Sequence, residues 1–134
     1  MIRIVALVLT AATIVGSSAW AADDATPIFS KGENFDEQSG QSLYTEVCQD
    51  CHMADGKGAG AAGRYPSLAG NTKLEAAGYP LTMVLQGRNG MPPVGKMMTD
   101  AQVAMVVNYV RTHFGNAYTD PVKPEDVMPL RDSK

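Results

Sequence analysis

The sequence predicts a small all-α domain. Val103, Val106, Val107, Val110 and Phe114 recur at helical spacing behind Thr99, which has Gln102 at the capping-box position. A second run, residues 37–51, sets Leu43, Tyr44 and Val47 on neighbouring helical turns. No alternating, strand-like run precedes Cys48, and no internal repeat is visible.

Residues 1–21 are expected to be a secretory leader rather than part of the fold. Arg3 supplies the positive end, Ile4 to Val15 an apolar run, and Ala19-Trp20-Ala21 a small-x-small cleavage site before Ala22. That apolar run is shorter than the roughly 18 to 20 residues of a spanning helix. The expected mature protein is exported to the periplasm, without a membrane span. Residues 22–37 read as an N-terminal extension, residues 38–114 as the domain and residues 115–134 as a proline-containing tail.

Within the domain, Glu37 to Cys51 forms the first helix, with Ser39 a candidate cap. Gly56 to Gly70 reads as loop. Pro80 opens a short helix through Leu85 that ends near Gly87. The last helix begins at Thr99 and stops at Gly115-Asn116. Pro121, Pro124 and Pro129 leave residues 117–134 extended, with room for one helical turn.

The 134 residues carry 11 Lys and Arg against 14 Asp and Glu. The charge is uneven: seven acids against one Lys over residues 22–51, then five basic residues against two acids over residues 52–98. An acidic, aromatic-poor chain excludes nucleic acid as a partner, which needs a basic surface. The basic middle segment suits steering towards an acidic protein.

Cys48-Gln49-Asp50-Cys51-His52 is the strongest chemical signal. Random placement yields two cysteines three apart with a following His on the order of twice in ten thousand. Cys48 and Cys51 on one helical turn project their thiols from one face, matching two haem vinyl groups as thioethers. His52 then offers its imidazole as the proximal iron ligand. A structural zinc site needs four ligands, and only His113 is left to supply the fourth. A thioredoxin-like pair needs a βαβ context that is missing. A disulfide across two residues leaves His52 unexplained. Gly58-Ala-Gly60-Ala-Ala-Gly63 matches the dinucleotide-binding fingerprint in letters, but it has no strand before it and reads as a mobile loop.

The distal side of such a haem needs a second ligand or an open position. Met53 adjoins His52 and cannot reach the opposite face, and Met83 and Met105 read as ordinary helical residues. Met91 lies between Gly90 and Pro92-Pro93, which give it a rigid, extended presentation. Met98 suits a hydrophobic staple onto the helix after Thr99. Met91 is the leading candidate, with Met97, Met98, His113 or an open site behind it.

Gly40, Tyr44, Cys48, Cys51 and His52, then Pro66-Ser67-Leu68, Met91-Pro92-Pro93 and Val106-Val107-Asn108-Tyr109-Val110, resemble the class I cytochrome c domain in order and spacing. The resemblance covers roughly residues 38–114. It implies a small helical fold wrapped around one covalent haem c, with cofactor-binding residues Cys48, Cys51, His52 and Met91, and His52 and Met91 as the iron ligands. It also implies that the helix bearing Gly40 crosses the last helix near Val106 and Tyr109, that the Pro66 carbonyl accepts the His52 N–H, and that Leu68 packs on the haem. The run from Asn116 to Val127 is similar to tails on cytochromes that serve periplasmic dehydrogenases. The expected function is one-electron transport without enzymatic catalysis, from a periplasmic dehydrogenase towards an oxidase or another cytochrome. A haem enzyme or gas-binding protein with an open distal site is the alternative.

Overall fold

The computed structural model describes residues 34–60, 64–131 and 133. The expected leader and most of the N-terminal extension lie outside the described residues, as does part of the Gly-rich loop. Five α-helices and several tight turns make up the described fold: α1 (Gly40–Leu43), a π-helical turn (Tyr44–Cys48), α2 (Gln49–His52), a 3-10 turn (Thr72–Leu74), α3 (Gly78–Gln86), a second 3-10 turn (Val94–Met97), α4 (Asp100–Thr112) and α5 (Pro124–Arg131). Among the described residues there is no strand; Ala59 with Tyr65 and Arg88 with Met91 form isolated antiparallel bridges. No helix among them is long and apolar enough to cross a membrane.

The expected first helix starts later than its apolar pattern suggests. Ser39 is extended (φ −140°) and accepts the Ser42 N–H while Ser42 Oγ reaches back, a capping box that leaves Glu37 and Gln38 outside. Tyr44–Cys48 then winds with a wider turn, the Gln49 N–H reaching the Tyr44 carbonyl. α3 begins two residues before Pro80, which a first helical turn accommodates because its missing N–H has no partner there. Gly87 ends it at φ 65°.

At α4 the Thr99 and Gln102 capping box forms as expected. Val103, Val106, Val107 and Val110 are buried, the first three at 1% exposure or less. Each such side chain is worth roughly 1.5–3 kcal/mol of burial, which makes this stripe the spine of the core. Phe114 does not extend the helix. α4 stops at Thr112, and Phe114 takes φ 57° to bring its ring under Gly56. Asn116 Nδ2 covers the freed Val110 carbonyl at 2.8 Å.

The tail departs most from expectation. Instead of extended chain with one turn, residues 124–131 form a two-turn helix packed on α3 and α4. Pro124 occupies the first position, where proline is pre-organised, and Glu125 and Asp126 complement the helix N-terminus. Pro129 costs only one internal hydrogen bond in so short a helix. Val127 at its centre is fully buried.

Candidate haem site

Cys48 ends the π-helical turn, and Cys51 and His52 lie on α2. Both thiols are free and half-buried. Burial pushes the Cys48 thiol up to about 12, with repulsion from Cys51 adding to it, so it stays protonated near neutral pH. His52 is 8% exposed. Its Nδ1 lies 2.9 Å from the Pro66 carbonyl, which can only accept, so the proton sits on Nδ1 and Nε2 carries the free lone pair. The carbonyl is held in turn: the His52 carbonyl accepts the Gly58 N–H, and the Gly58 backbone passes so close to Tyr65 and Pro66 that a side chain there has no room. Leu68 N–H and Ala69 N–H both bond the Gly56 carbonyl, closing the loop beneath the imidazole.

Tyr44 fixes the other end of the motif. Its hydroxyl donates to the Met53 carbonyl at 2.6 Å, across the span from the π-helical turn to the residue after His52. Met53 takes φ 64° and turns the chain away from α2.

Met91 lies in the segment between α3 and the second 3-10 turn. It pairs with Arg88 through both backbone bonds, at 3.0 and 3.1 Å. The Met91 side chain is half-buried and packs on the same apolar cluster as Cys48, Val47 and Leu68. The rival methionines are differently placed: Met97 is 41% exposed, whereas Met98 is buried in the core beside the Thr99 cap. His113 is exposed, with its ring stacked on Tyr109 at 4.0 Å and Nδ1 at 2.9 Å from the Tyr109 carbonyl.

This donor set fits a covalent haem. Two free thiols stand one helical turn apart, an imidazole directed through Nδ1 leaves one nitrogen for iron, and Leu68, Met91 and Val47 are partly buried against the same apolar cluster as Cys48. No cluster of three or more His, Cys, Asp or Glu suited to a bare metal ion occurs among the described residues. A surface cleft of about 480 Å³ between α3 and α5 contains none of these residues. Sequence reasoning missed two tail-anchoring arginines. Arg111, fully buried, donates to the Leu74, Glu75 and Asp120 carbonyls and to the Asp120 carboxylate. Arg131 pairs with Asp100 and with backbone beyond the Met91 segment. Neither had a sequence signal beyond its charge.

Residues 35–110 match the protein family described as cytochrome C oxidase, cbb3-type, subunit III. The chain is 38% identical to the fructose dehydrogenase cytochrome subunit of Gluconobacter japonicus, over 58% of this chain and 19% of that protein. It is 32% identical to the cytochrome c subunit of the quinone alcohol dehydrogenase of Gluconacetobacter polyoxogenes, over 70% of this chain and 22% of that one. To the gluconate 2-dehydrogenase cytochrome c subunit of Pantoea cypripedii it is 33% identical, over 72% of this chain and 24% of that protein. It thus spans about a fifth to a quarter of the length of these relatives. With more than half of its residues matched and the Cys48-x-x-Cys51-His52 motif inside the match, the chain belongs to the cytochrome c family of cbb3-type subunit III, an electron-transfer domain with covalent haem c.

Proposed function

We propose that this protein is a one-electron carrier whose haem iron is held between His52 and Met91, taking electrons from a periplasmic dehydrogenase and passing them to an oxidase or another cytochrome. The observation that carries the reading is the His52 to Pro66 hydrogen bond, which fixes the ring tautomer and leaves Nε2 as the ligating atom. The bound haem supplies a ferric/ferrous couple; the rest is the work of the chain. Cys48 and Cys51 tether the group, and burial of His52 keeps water from the proximal side. Met91 offers a soft thioether from a segment stiffened by Pro92 and Pro93, which favours ferrous iron and raises the potential relative to a second imidazole. With His52 and Met91 both committed to holding it, the haem would have no position left for a substrate. The dehydrogenase donor is supported by the similarity to dehydrogenase cytochrome subunits, and export by the leader pattern of residues 1–21.

The visible spectrum tests the ligand pair. Ferric protein is expected to show the weak sulfur-to-iron band near the red edge of the visible. Met91→Ala should abolish that band and lower the reduction potential while the haem stays attached. High-spin ferric protein whose ferrous form binds carbon monoxide at once would replace the carrier reading with an open-site haem protein.

A further inference from the structure

The segment that presents Met91 is held at both of its stems by the C-terminal tail, by α5 and by Ser133 just beyond it. It leaves α3 at Gly87, whose backbone packs directly on the Met91 carbonyl and Pro92, and it returns through Val94–Met97 to the Thr99 cap. At the first stem, Gln86 donates to the Ser133 carbonyl at 2.9 Å. At the second, the Arg131 guanidinium spans three groups. Nη1 donates to the Gly95 carbonyl at 2.8 Å and Nη2 to the Met98 carbonyl at 3.0 Å. Nε and Nη2 both reach Asp100 Oδ1, at 2.9 and 2.7 Å. The Gly95 carbonyl also accepts the Met98 N–H at 3.2 Å, so the planar guanidinium takes its second lone pair together with the Met98 carbonyl while remaining paired with Asp100. The Arg131 and Asp100 side chains are about 30% exposed (31% and 29%), so the pair is shielded from much of the screening that weakens a surface bridge. The Phe35 N–H also reaches the Met97 carbonyl of this stem, at 3.4 Å.

We propose that Arg131 is a positioning residue for Met91: docked on the Gly95 and Met98 carbonyls and on Asp100, it fixes the stem of the Met91 segment and sets how readily the thioether leaves the iron. This rests on Met91 as the distal ligand. Loss of the clamp acts on the segment, not on the haem tethers, because Cys48, Cys51 and His52 are held by separate contacts with Tyr44 and Pro66. Lysine keeps the charge opposite Asp100 but lacks the fork that serves two carbonyls at once.

The test uses exported holoprotein carrying Arg131→Gln, Arg131→Lys or Asp100→Asn. Two readouts are followed: amide hydrogen exchange along the chain, and the rate at which cyanide displaces the distal ligand from ferric protein. Arg131→Gln should raise exchange in residues 88–98 about tenfold or more, leave residues 40–52 unchanged, and speed cyanide binding by a similar factor. Arg131→Lys should fall between it and the parent, and Asp100→Asn should move in the same direction. Unchanged exchange in residues 88–98, or a uniform rise across the whole chain, overturns the proposal. So does a selective rise with no change in the cyanide rate. Met91 itself is checked separately in the parent protein: a missing sulfur-to-iron band removes the ligand assignment, and the cyanide part of the proposal falls with it, while exchange in residues 88–98 still decides whether Arg131 clamps the segment.

Discussion

Tyr44 and His52 show how single side chains set the geometry of the haem motif. The Tyr44 hydroxyl is buried and donates to the Met53 carbonyl at 2.6 Å. Burial, followed by the negative potential of Cys48 and Tyr109, pushes its pKa up to about 12. The Cys48 contribution disappears once that sulfur is a thioether, but desolvation, the largest cause, remains. A phenol whose folded pKa lies above its unfolded value near 10 favours the folded state fully below pH 10. That contribution is lost as pH rises towards 12. Tyr44→Phe should therefore lose about 1 kcal/mol at neutral pH from the missing hydrogen bond, and its stability should fall less steeply between pH 10 and 12. Denaturant titrations of ferrous protein at neutral and alkaline pH would check both signs, and parallel curves for the two proteins across that alkaline range would contradict the second. His52 and its Pro66 partner act on a different axis: their 2.9 Å bond fixes the orientation and tautomer of the ring.

Between elements, α1 crosses α4 at close range. A Cβ at Gly40 would meet the Met105 carbonyl and the Tyr109 Cβ, so the two helices touch through backbone there. Around the crossing, Tyr44 packs on Tyr109 at 5.6 Å and on Phe114 at 4.8 Å, in tilted arrangements. Gly40→Ala gains a little helix propensity, at most about 1 kcal/mol. Overpacking against a carbonyl that cannot yield costs more, about 1–3 kcal/mol. The net result should be a lower melting temperature with haem content intact, read by circular dichroism of the holoprotein. α4 was legible from its valines at helical spacing behind a strong cap, whereas its crossing with α1 was implied only by the resemblance of Gly40, Tyr44, Val106 and Tyr109 to the class I cytochrome c domain. The Cys48 to His52 motif was equally legible, since its chemistry lives in adjacent residues. The π-helical turn was not, because winding by one extra residue leaves no mark on an apolar pattern that Leu43, Tyr44 and Val47 satisfy either way. Nor was α5: the tail's three prolines, two of them inside the helix, read locally as breakers, whereas its stability comes from Val127 in the core and from Arg131 on distant carbonyls. Tertiary contact overrode local preference.

At the scale of the whole molecule the question is what holds so few residues together. The valines of α4, with Leu43, Leu74, Leu81 and Val127, form one apolar cluster, and Cys48, Leu68 and Met91 are only partly covered at its margin. Arg111 ties the tail to the Thr72–Leu74 turn from inside the fold, a fully buried cation with one carboxylate partner whose side chain is 74% exposed. Such an arrangement specifies where the tail docks more than it adds net stability, because desolvating the guanidinium offsets much of the attraction. Domains of this size commonly need a metal, a disulfide or a large cofactor to reach ordinary stability. Here the two cysteines are committed to haem, so the cofactor takes that place and its loss should be felt throughout. Replacing Cys48 and Cys51 together with Ala should yield exported protein that lacks the mass of one haem and unfolds without a sharp transition. The apolar cluster leaves Cys48, Leu68 and Met91 partly covered at its margin, which a bound haem would complete. A haem-free double variant that melts cooperatively near the parent temperature would mean that the apolar cluster is sufficient by itself, and that haem is a passenger in the fold.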